Sequence, residues 1–357
     1  MNLLNFSLSE LEDKVVSDGF PKYRAKQLFD SMLRSKPLSE SNLPTDIKEF
    51  YKEEYPKCAI SLVKSSKDGT KKYIFKLHDG EIVEGVFLPY NYGNTLCIST
   101  QVGCRMGCTF CASGLNGLIR NLEAGEMLEM VYLINADNQK TQKETPSRFE
   151  RLVTNIVLMG SGEPLDNYDN VVKFIKLLNE KSGLGISQRN ISLSTCGLVK
   201  KIYELADAGL SVTLTISLHA SKDDVRKKLM KVANSYSISE IIKAVRYYFD
   251  KTGRRIVFEY ILIDGVNDAL KDAEELSRVL RGLPCHVNLI PLNSVEENAY
   301  KGTERKKAYA FMQRLIDLKI SATVRRTMGE DIDGACGQLR NKFVLQNTTT
   351  DSSNKTE

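Results

Sequence analysis

From residue 94 onward, short apolar segments alternate with segments of helical periodicity, and this alternation constrains the fold more than any other feature. The apolar segments have strand length and include NTLCIST, TNIVLMG, NISLST, VTLTISL, IVFEYIL, HVNLIPL and SATVRR. Helical segments between them include NVVKFIKLLNE, LVKKIYELADAG and ISEIIKAVRYYFDKTG, the last opened by a capping box of Ser237 and Glu240. Repeated βα units with continuous apolar strands predict a parallel sheet, and this number of units predicts an α/β barrel, whole or partial. Chemistry in such barrels lies at the carboxyl ends of the strands.

Two smaller units precede the barrel. Apolar residues at helical spacing over residues 8 to 55 predict a small helical unit. Two Asp-Gly turns, at Asp68 and Asp79, separate β-rich segments and predict a meander of three strands over about residues 60 to 88. The chain therefore divides into an N-terminal helical unit (1–58), a β-meander connector (59–93), a barrel (94–345) and a tail without apolar residues, expected to be disordered (346–357).

The composition excludes several classes of protein. The 357 residues are 42% hydrophobic and 27% charged, as in a soluble globular chain. The longest apolar runs have strand length and the N-terminus has no basic region, so we expect neither a membrane span nor a signal peptide. Eight cysteines without an export signal indicate a reducing cytoplasm and a metal or redox role. The net charge of +5 permits a polyanionic partner without requiring one.

Three cysteines, Cys104, Cys108 and Cys111, follow the first barrel strand with C-x3-C-x2-C spacing. Thiolates are soft ligands that suit zinc or an iron–sulfur cluster, and closed sites of either kind take four protein ligands. A structural zinc site would be completed by a second Cys or His pair, and none follows at regular spacing. A cluster held by three thiolates would instead leave one iron open to a substrate. We therefore favour an iron–sulfur cluster over zinc.

Small polar residues follow later strands at the same predicted face of the barrel. Gly162 and Glu163 lie in the turn after the second strand, where a glycine lets a cofactor approach the backbone closely. The third, fourth and sixth strands end with groups that can hydrogen-bond a nucleoside, namely Ser194, the segment Ser217, Leu218 and His219, and Asn293. Each alone fits an ordinary loop, whereas together they favour a ligand site.

Separated motifs also occur in the order typical of one family. A C-x3-C-x2-C loop after the first strand of a βα barrel resembles the radical S-adenosylmethionine (SAM) superfamily, in which SAM chelates the fourth iron of a [4Fe-4S] cluster. The segments QVGCRMGCTFCASGLNGLIRNL, MGSGEPLDNYDNV and TMGEDIDGACGQL, with YRAKQLF and NLPTDIKEFY before them, closely resemble the RlmN/Cfr family of radical SAM methyl synthases. This family methylates an adenine in RNA. The resemblance covers about residues 10 to 345 and implies a partial (β/α)6-type radical SAM barrel with a small N-terminal helical and β-meander accessory domain.

The resemblance implies roles for three further residues. In the family, one SAM methylates a cysteine that matches Cys336, and a second SAM is cleaved to a radical that removes hydrogen from this S-methyl group. The methylene radical adds to the adenine, and a thiol matching Cys97 then forms a disulfide that releases methyladenine. Glu84 matches a glutamate proposed as the proton acceptor, with a solvent-facing strand residue as the alternative. Without the resemblance, Cys97 and Cys336 would be interpreted as buried structural thiols.

The resemblance also narrows the substrate and the partners. Pro164 and the segment IPLN at 290–293 resemble the branch that methylates C2 of adenosine 2503 in 23S rRNA, rather than the antibiotic-resistance branch that methylates C8. Some family members also modify adenosine 37 of tRNAs. An electron donor such as flavodoxin or ferredoxin and a thiol reductant are the implied partners. An RNA substrate favours the basic residues Lys22, Arg24 and Lys26 as phosphate contacts.

Besides C8 methylation of the same rRNA adenosine, two alternatives stay open at this point. The first, from another class, is a zinc-stabilised RNA-binding protein without catalysis. The second is a radical SAM enzyme that acts on a small molecule, against which the basic N-terminal unit argues only weakly.

Overall fold

The computed structural model describes residues 2–142, 153–293, 300–332 and 334. The helices are α1 (Leu8–Ser17), α2 (Tyr23–Leu33), α3 (Thr45–Tyr51), α4 (Ala124–Gln142), α5 (Tyr168–Asn179), α6 (Val199–Asp207), α7 (Asp223–Leu229), α8 (Ile238–Thr252), α9 (Leu270–Val279) and α10 (Arg305–Asp317). The strands are β1 (Ala59–Ser65), β2 (Lys71–Lys76), β3 (Ile82–Tyr90), β4 (Gly93–Ile98), β5 (Gln101–Gly103), β6 (Leu118–Asn121), β7 (Asn155–Leu158), β8 (Ile191–Thr195), β9 (Thr213–Ser217), β10 (Ile256–Leu262), β11 (Cys285–Pro291) and β12 (Ala322–Val324).

Ten of these strands form one sheet in the order β1-β2-β3-β4-β7-β8-β9-β10-β11-β12. Each strand from β4 to β12 in that order pairs in parallel with the next. Helices connect these strands, as repeated βα units require, so the predicted α/β barrel is confirmed. Within the described residues β1 and β12 pair with one strand each, which leaves the barrel partial. The three-residue β12 is a short edge strand added to the six of a (β/α)6 barrel.

The meander predicted over residues 60 to 88 is present as β1, β2 and β3, which span residues 59 to 90 and pair in antiparallel fashion. β3 also pairs with β4, the first barrel strand, so the sheet runs without a break across residues 93 and 94. The division of the chain into four units stays a prediction, and its tail lies outside the described residues.

The barrel strands separate two environments because successive side chains point to opposite faces. In β10, Ile256, Phe258 and Tyr260 are fully buried against the surrounding helices, whereas Glu259 and Ile261 face the barrel interior. The predicted capping box of α8 is present, with Ser237 and Glu240 satisfying each other's backbone amides. The barrel interior is therefore the face on which polar chemistry can be placed.

The N-terminal helices are fixed to the barrel by hydrogen bonds as well as by apolar packing. Asn5 donates from Nδ2 to Glu123 at 2.7 Å and accepts at Oδ1 from the Gly125 amide at 2.7 Å, which places it at the start of α4. Glu129 of α4 accepts from the Cys58 amide at 2.7 Å. Among the helices in the described residues, none is long and apolar enough to cross a membrane.

Candidate active site

A cavity of about 940 Å³, open to solvent, lies at the carboxyl ends of the parallel strands. It is called here the main cavity. Eight residues predicted from the sequence line it: Cys104, Cys108, Cys111, Gly162, Glu163, Ser194, Ser217 and His219. The sheet thus collects residues that are far apart in the chain, because parallel strands all end at the same edge.

The cysteine loop is anchored at both ends by backbone hydrogen bonds. The Cys104 amide donates to the Gly117 carbonyl at 2.8 Å, and the Thr109 amide donates to the carbonyl of Leu229, the last residue of α7, at 3.0 Å. Gly103 adopts a φ of 77°, and a Cβ there would overlap the Gly117 carbonyl oxygen. Only glycine therefore allows the loop to leave β5 in this direction.

Burial favours the protonated form of the loop thiols when no metal or cluster is bound. Burial raises the pKa of Cys104 to about 11, and burial followed by the neighbouring thiols raises the pKa of Cys108. Such thiols become thiolates when a bound cationic centre offsets their charge. In the described part of the chain, no three His, Cys, Asp or Glu side chains converge tightly enough to hold a single ion. Three soft ligands spread along one wall of an open cavity fit an iron–sulfur cluster.

Glu163 joins the turn after β7 to the end of β8. Its own amide donates to Gln101 Oε1 at 2.9 Å, while its carboxylate accepts from the Cys196 amide at 2.7 Å and the Leu165 amide at 3.0 Å. Burial raises the pKa of Glu163, and these backbone donors oppose that rise. The Thr195 and Cys196 side chains also hydrogen-bond this carboxylate and oppose the rise.

His219 is held in one orientation and one protonation state. Its backbone has a φ of 60°, a conformation that non-glycine residues rarely adopt. The Ile261 amide donates to Nδ1 at 3.1 Å, which leaves the ring proton on Nε2, and the ring packs edge-on against Phe110. Burial, with the nearby Arg226, lowers the pKa of His219 to about 3. A neutral imidazole therefore lines the main cavity.

The other predicted nucleoside contacts divide into two groups. Ser194 and Ser217 line the main cavity with their Oγ atoms 3.4 Å apart. The Leu218 side chain is fully buried in the core, so the structure does not bring it to the cavity wall. Asn293 lines a neighbouring cavity instead.

That neighbouring cavity contains Cys97 and is called here the Cys97 cavity. It is lined by β3, β4, the end of β11 and the segment after β12, including Arg325, Arg326 and Gly334. Its wall shares Met159, Ile290 and Arg325 with the main cavity, so the two adjoin. Cys336 lies outside the described residues.

Glu84 is buried on β3, so the alternative interpretation as a solvent-facing residue is wrong. Its Oε1 lies 3.2 Å from Nζ of Lys72, which is buried as well. Glu84 lines a third cavity beside the cysteine loop, and Ser113 belongs to the walls of both this cavity and the main one. Its catalytic role stays a prediction.

The three basic residues predicted to contact RNA lie on the surface of the N-terminal unit. Lys22 and Lys26 form exposed ion pairs, and Arg24 lies over the ring of Tyr23. Their side-chain partners are Glu12 at 3.1 Å, Asp30 at 2.6 Å and, for Arg24, Gln27 at 2.7 Å. Exposed ion pairs of this kind stabilise the fold by at most about 1 kcal/mol each, so an RNA phosphate can replace the carboxylate partner of Lys22 or Lys26.

Two charged residues of the site were missed by the sequence analysis. Arg226 belongs to the basic run RKKLMK, which indicates a surface, yet it is fully buried and donates to the carbonyls of Leu218 at 3.1 Å and Cys196 at 2.6 Å. Glu259 lines the main cavity. An acidic residue inside the apolar strand IVFEYIL was a signal that could have identified it.

The model of the radical SAM superfamily matches residues 98–278 of the chain. The crystal structure of a radical SAM methyltransferase from Sphaerobacter thermophilus is similar, with a TM-score of 0.90, 41% sequence identity and coverage of 95% of this chain and 99% of that one. Fold and site thus define a methyltransferase of the radical SAM class, whose members use a [4Fe-4S] cluster and SAM.

The names of similar proteins define the family more closely than the fold does. A protein of Clostridium novyi is 47% identical over 352 residues, 97% of this chain and 99% of its own length, and is named probable dual-specificity RNA methyltransferase RlmN. A protein of Lachnospira eligens with the same name is 49% identical over 351 residues, 96% of this chain and 97% of its own length. The chain belongs to the RlmN family of radical SAM RNA methyltransferases. Membership of an enzyme family contradicts the alternative of a non-catalytic zinc-stabilised protein.

Proposed function

We propose that this protein methylates C2 of an adenosine in RNA, adenosine 2503 of 23S rRNA, by way of a methyl group carried on Cys336. The name shared by the relatives, dual-specificity RNA methyltransferase, supports an extension of the proposal to adenosine 37 of tRNAs. Pro164 and the IPLN segment favour C2 over C8 as the target carbon.

The position of Cys97 is the observation that carries the proposal. Cys97 is buried on β4 and lines a cavity that adjoins the one lined by the three loop cysteines. Gly334 lines the same cavity, and one residue separates it from Cys336 in the chain. A residue two positions before the proposed methyl carrier therefore lies at the cavity wall that also holds Cys97.

Cys104, Cys108 and Cys111 are the proposed ligands of the [4Fe-4S] cluster, with Glu163 as acceptor for the amino group of SAM. When bound, the cluster supplies the electron that cleaves SAM to a 5′-deoxyadenosyl radical. Two SAM molecules are consumed per turnover, one as methyl donor to Cys336 and one as the source of the radical.

The two thiols then complete the transfer. After one hydrogen atom is removed from the S-methyl group on Cys336, its carbon bonds to C2 of the adenine. The adduct then loses the C2 proton and one electron, which the bound cluster would take up. The Cys97 thiolate attacks the Cys336 sulfur, so the S–S bond forms as the C–S bond breaks. The electron pair of that bond and a proton complete the new methyl group. Glu84, ion-paired with Lys72, is the proposed acceptor of the C2 proton.

Turnover requires partners of two kinds. An electron donor such as flavodoxin or ferredoxin reduces the cluster, and a thiol reductant restores Cys97 and Cys336 from the disulfide. Both requirements suit the cytoplasm as the proposed location. RNA is held in part by Lys22, Arg24 and Lys26, and the target base leaves its stack to reach a buried site.

The decisive experiment combines nucleoside mass spectrometry with cysteine variants. Reconstituted enzyme, SAM and an rRNA fragment containing the target should yield 2-methyladenosine, whereas 8-methyladenosine would overturn the choice of carbon. Cys97→Ala should trap a covalent protein–RNA adduct, and Cys336→Ala should give neither adduct nor product. Cys285→Ala is the matched control, because Cys285 is buried at the start of β11 outside both cavities. Free product from Cys97→Ala at the wild-type rate would contradict the role of that thiol.

A further inference from the structure

The floor of the main cavity carries a buried carboxylate that no role above uses. Glu259 lies on β10, is 4% exposed and lines the main cavity. Its Oε1 accepts a hydrogen bond from Asn288 Nδ2 at 3.1 Å. Its Oε2 is buried and has no hydrogen-bond partner among the described residues. Because a buried oxygen without a partner is costly, this atom is suited to a ligand that donates a hydrogen bond.

A series of hydrogen bonds leads to this carboxylate from exposed side chains on and beside the edge strand β12. Glu259, Asn288 and Thr323 occupy the same register on β10, β11 and β12 and therefore lie side by side. Thr323 Oγ1 donates to Asn288 Oδ1 at 3.1 Å, and His286 Nε2 lies 2.9 Å from the same hydroxyl. His286 Nδ1 lies 2.9 Å from Ser321 Oγ, at the exposed end of the series.

The donors in this series all point towards Glu259. The Thr323 hydroxyl uses its proton on Asn288, so His286 must donate to it from Nε2 and accept at Nδ1 from Ser321. Hydrogen bonds aligned in one direction polarise one another and strengthen the last bond, here the one to the carboxylate. Burial raises the pKa of Glu259, whereas the positive charge of Arg325 and the Asn288 amide oppose that rise. The series thus fixes the carboxylate and leaves Oε2 as an acceptor.

The neighbours of Glu259 indicate which ligand group it faces. Ser217 is its register partner on β9, and Ser194 Oγ lies 3.4 Å from Ser217 Oγ. Both serines line the main cavity with Glu259, so a carboxylate and two hydroxyls face one region of the cavity. Acidic side chains recognise ribose hydroxyls in nucleotide sites because the carboxylate accepts from an O–H that water would otherwise satisfy. Glu163, on β8's side of the cavity, is already engaged with backbone amides.

We propose that Glu259 accepts a hydrogen bond from a ribose hydroxyl of SAM, and that Asn288, Thr323 and His286 are positioning residues that hold its carboxylate towards the nucleoside. This inference rests on the use of SAM in the proposed function. It assigns a ligand contact to the middle of a strand rather than to a loop. It also gives this hydrogen-bonded series a purpose, since the Asn288 amide at its end holds Oε1 and leaves Oε2 for the ligand.

The test compares nucleosides that differ only in their hydroxyls. Binding of SAM, adenosine and 2′,3′-dideoxyadenosine to the cluster-containing enzyme is measured by anaerobic calorimetry. Wild type should prefer adenosine over 2′,3′-dideoxyadenosine, and Glu259→Gln should lose that preference and about ten- to hundredfold in SAM affinity, as expected for a hydrogen bond to a charged group. Glu129→Gln is the matched control, because Glu129 is a buried glutamate of α4 outside the main cavity.

Variants of Thr323 test whether the hydrogen-bonded residues position Glu259 or only fill space beside it. Thr323→Val should weaken the preference for adenosine by a smaller factor, whereas Thr323→Ser, which keeps the hydroxyl, should retain it. A Glu259→Gln enzyme that still prefers adenosine would overturn the inference alone, even if its SAM affinity or melting temperature fell. A wild-type enzyme that binds no SAM would overturn the inference together with the proposed function.

Discussion

Replacing Gly160 by alanine tests whether the turn that carries Glu163 must lie directly against the end of β4. A Cβ on Gly160 would lie 2.6 Å from the carbonyl carbon of Ile98 and 2.6 Å from the amide nitrogen of Ser99. Non-bonded carbon atoms normally approach to about 3.5–4.0 Å, so the overlap is about 1 Å. The contacted atoms belong to the main chain and cannot rotate away as a side chain can.

The expected loss of stability follows from the main-chain atoms that must shift to make room for the added Cβ. Overpacking a tight site costs about 1–3 kcal/mol, and two main-chain contacts place Gly160→Ala near the upper end, about 3 kcal/mol. The Gly160 amide also donates to the Ile98 carbonyl at 3.1 Å, so relief of the overlap strains this bond. The movement that relieves it displaces Glu163 from the cavity wall. Gly160→Ala should therefore lower both the melting temperature and the affinity for SAM.

Thermal unfolding by circular dichroism and SAM titration by calorimetry measure the two effects. Gly183→Ala is the matched control, since its added Cβ would meet its nearest atom, the Tyr132 hydroxyl, at an ordinary 3.5 Å. The control should unfold and bind SAM as the wild type does. Equal melting temperatures and equal SAM affinities for the two variants would refute the reasoning.

Three further predictions concern charge. Arg226→Met removes the donors of two buried main-chain carbonyls at the ends of β8 and β9, each worth about 1–3 kcal/mol when left unpaired, so urea unfolding should show a loss of about 2–6 kcal/mol. An unchanged urea midpoint would contradict this. His219 has its pKa lowered by burial from 6.5 to about 3, so its contribution to stability is present above pH 6.5 and is lost as the pH falls. Between pH 6.5 and 5.0 the free energy of unfolding should fall by about 2 kcal/mol for this reason, and His219→Gln should not show this fall. Equal pH dependence of unfolding in the two proteins would contradict the prediction. Changing Lys22, Arg24 and Lys26 to glutamine should weaken RNA binding in filter assays and reduce its salt slope by about 1 for each phosphate that is no longer neutralised, with SAM cleavage unchanged. Unchanged turnover on RNA in moderate salt would exclude this surface.

Much of the fold and part of the site could be predicted because their signals are local. Strand-length apolar segments alternate with helical ones, and the capping box of Ser237 and Glu240 depends on residues three apart in the chain. The C-x3-C-x2-C spacing confines three thiols to one short loop whatever the rest of the chain does. Parallel strands end at a common edge, so Ser194 and Ser217 could be assigned to one cavity without coordinates.

Other features depended on pairing between distant segments. Glu84 matched a family motif, but its burial against Lys72 follows from the register of β2 with β3. Leu218 lies between two cavity residues, yet its side chain points into the core. Arg226 belongs to a run of basic residues that suggests a surface, but the turn of α7 directs it inward to carbonyls of the loops after β8 and β9.

The sequence by itself determined the strands, the helices and the thiol loop, because each is set by the order of nearby residues. Only the tertiary structure decided that Glu259, Asn288 and Thr323 form one hydrogen-bonded row across three strands. It also decided that the Cys97 cavity adjoins the cavity of the loop cysteines. These relations depend on the strand register, which decides the face of the sheet on which each side chain lies. A shift of one residue in the register would therefore separate the partners.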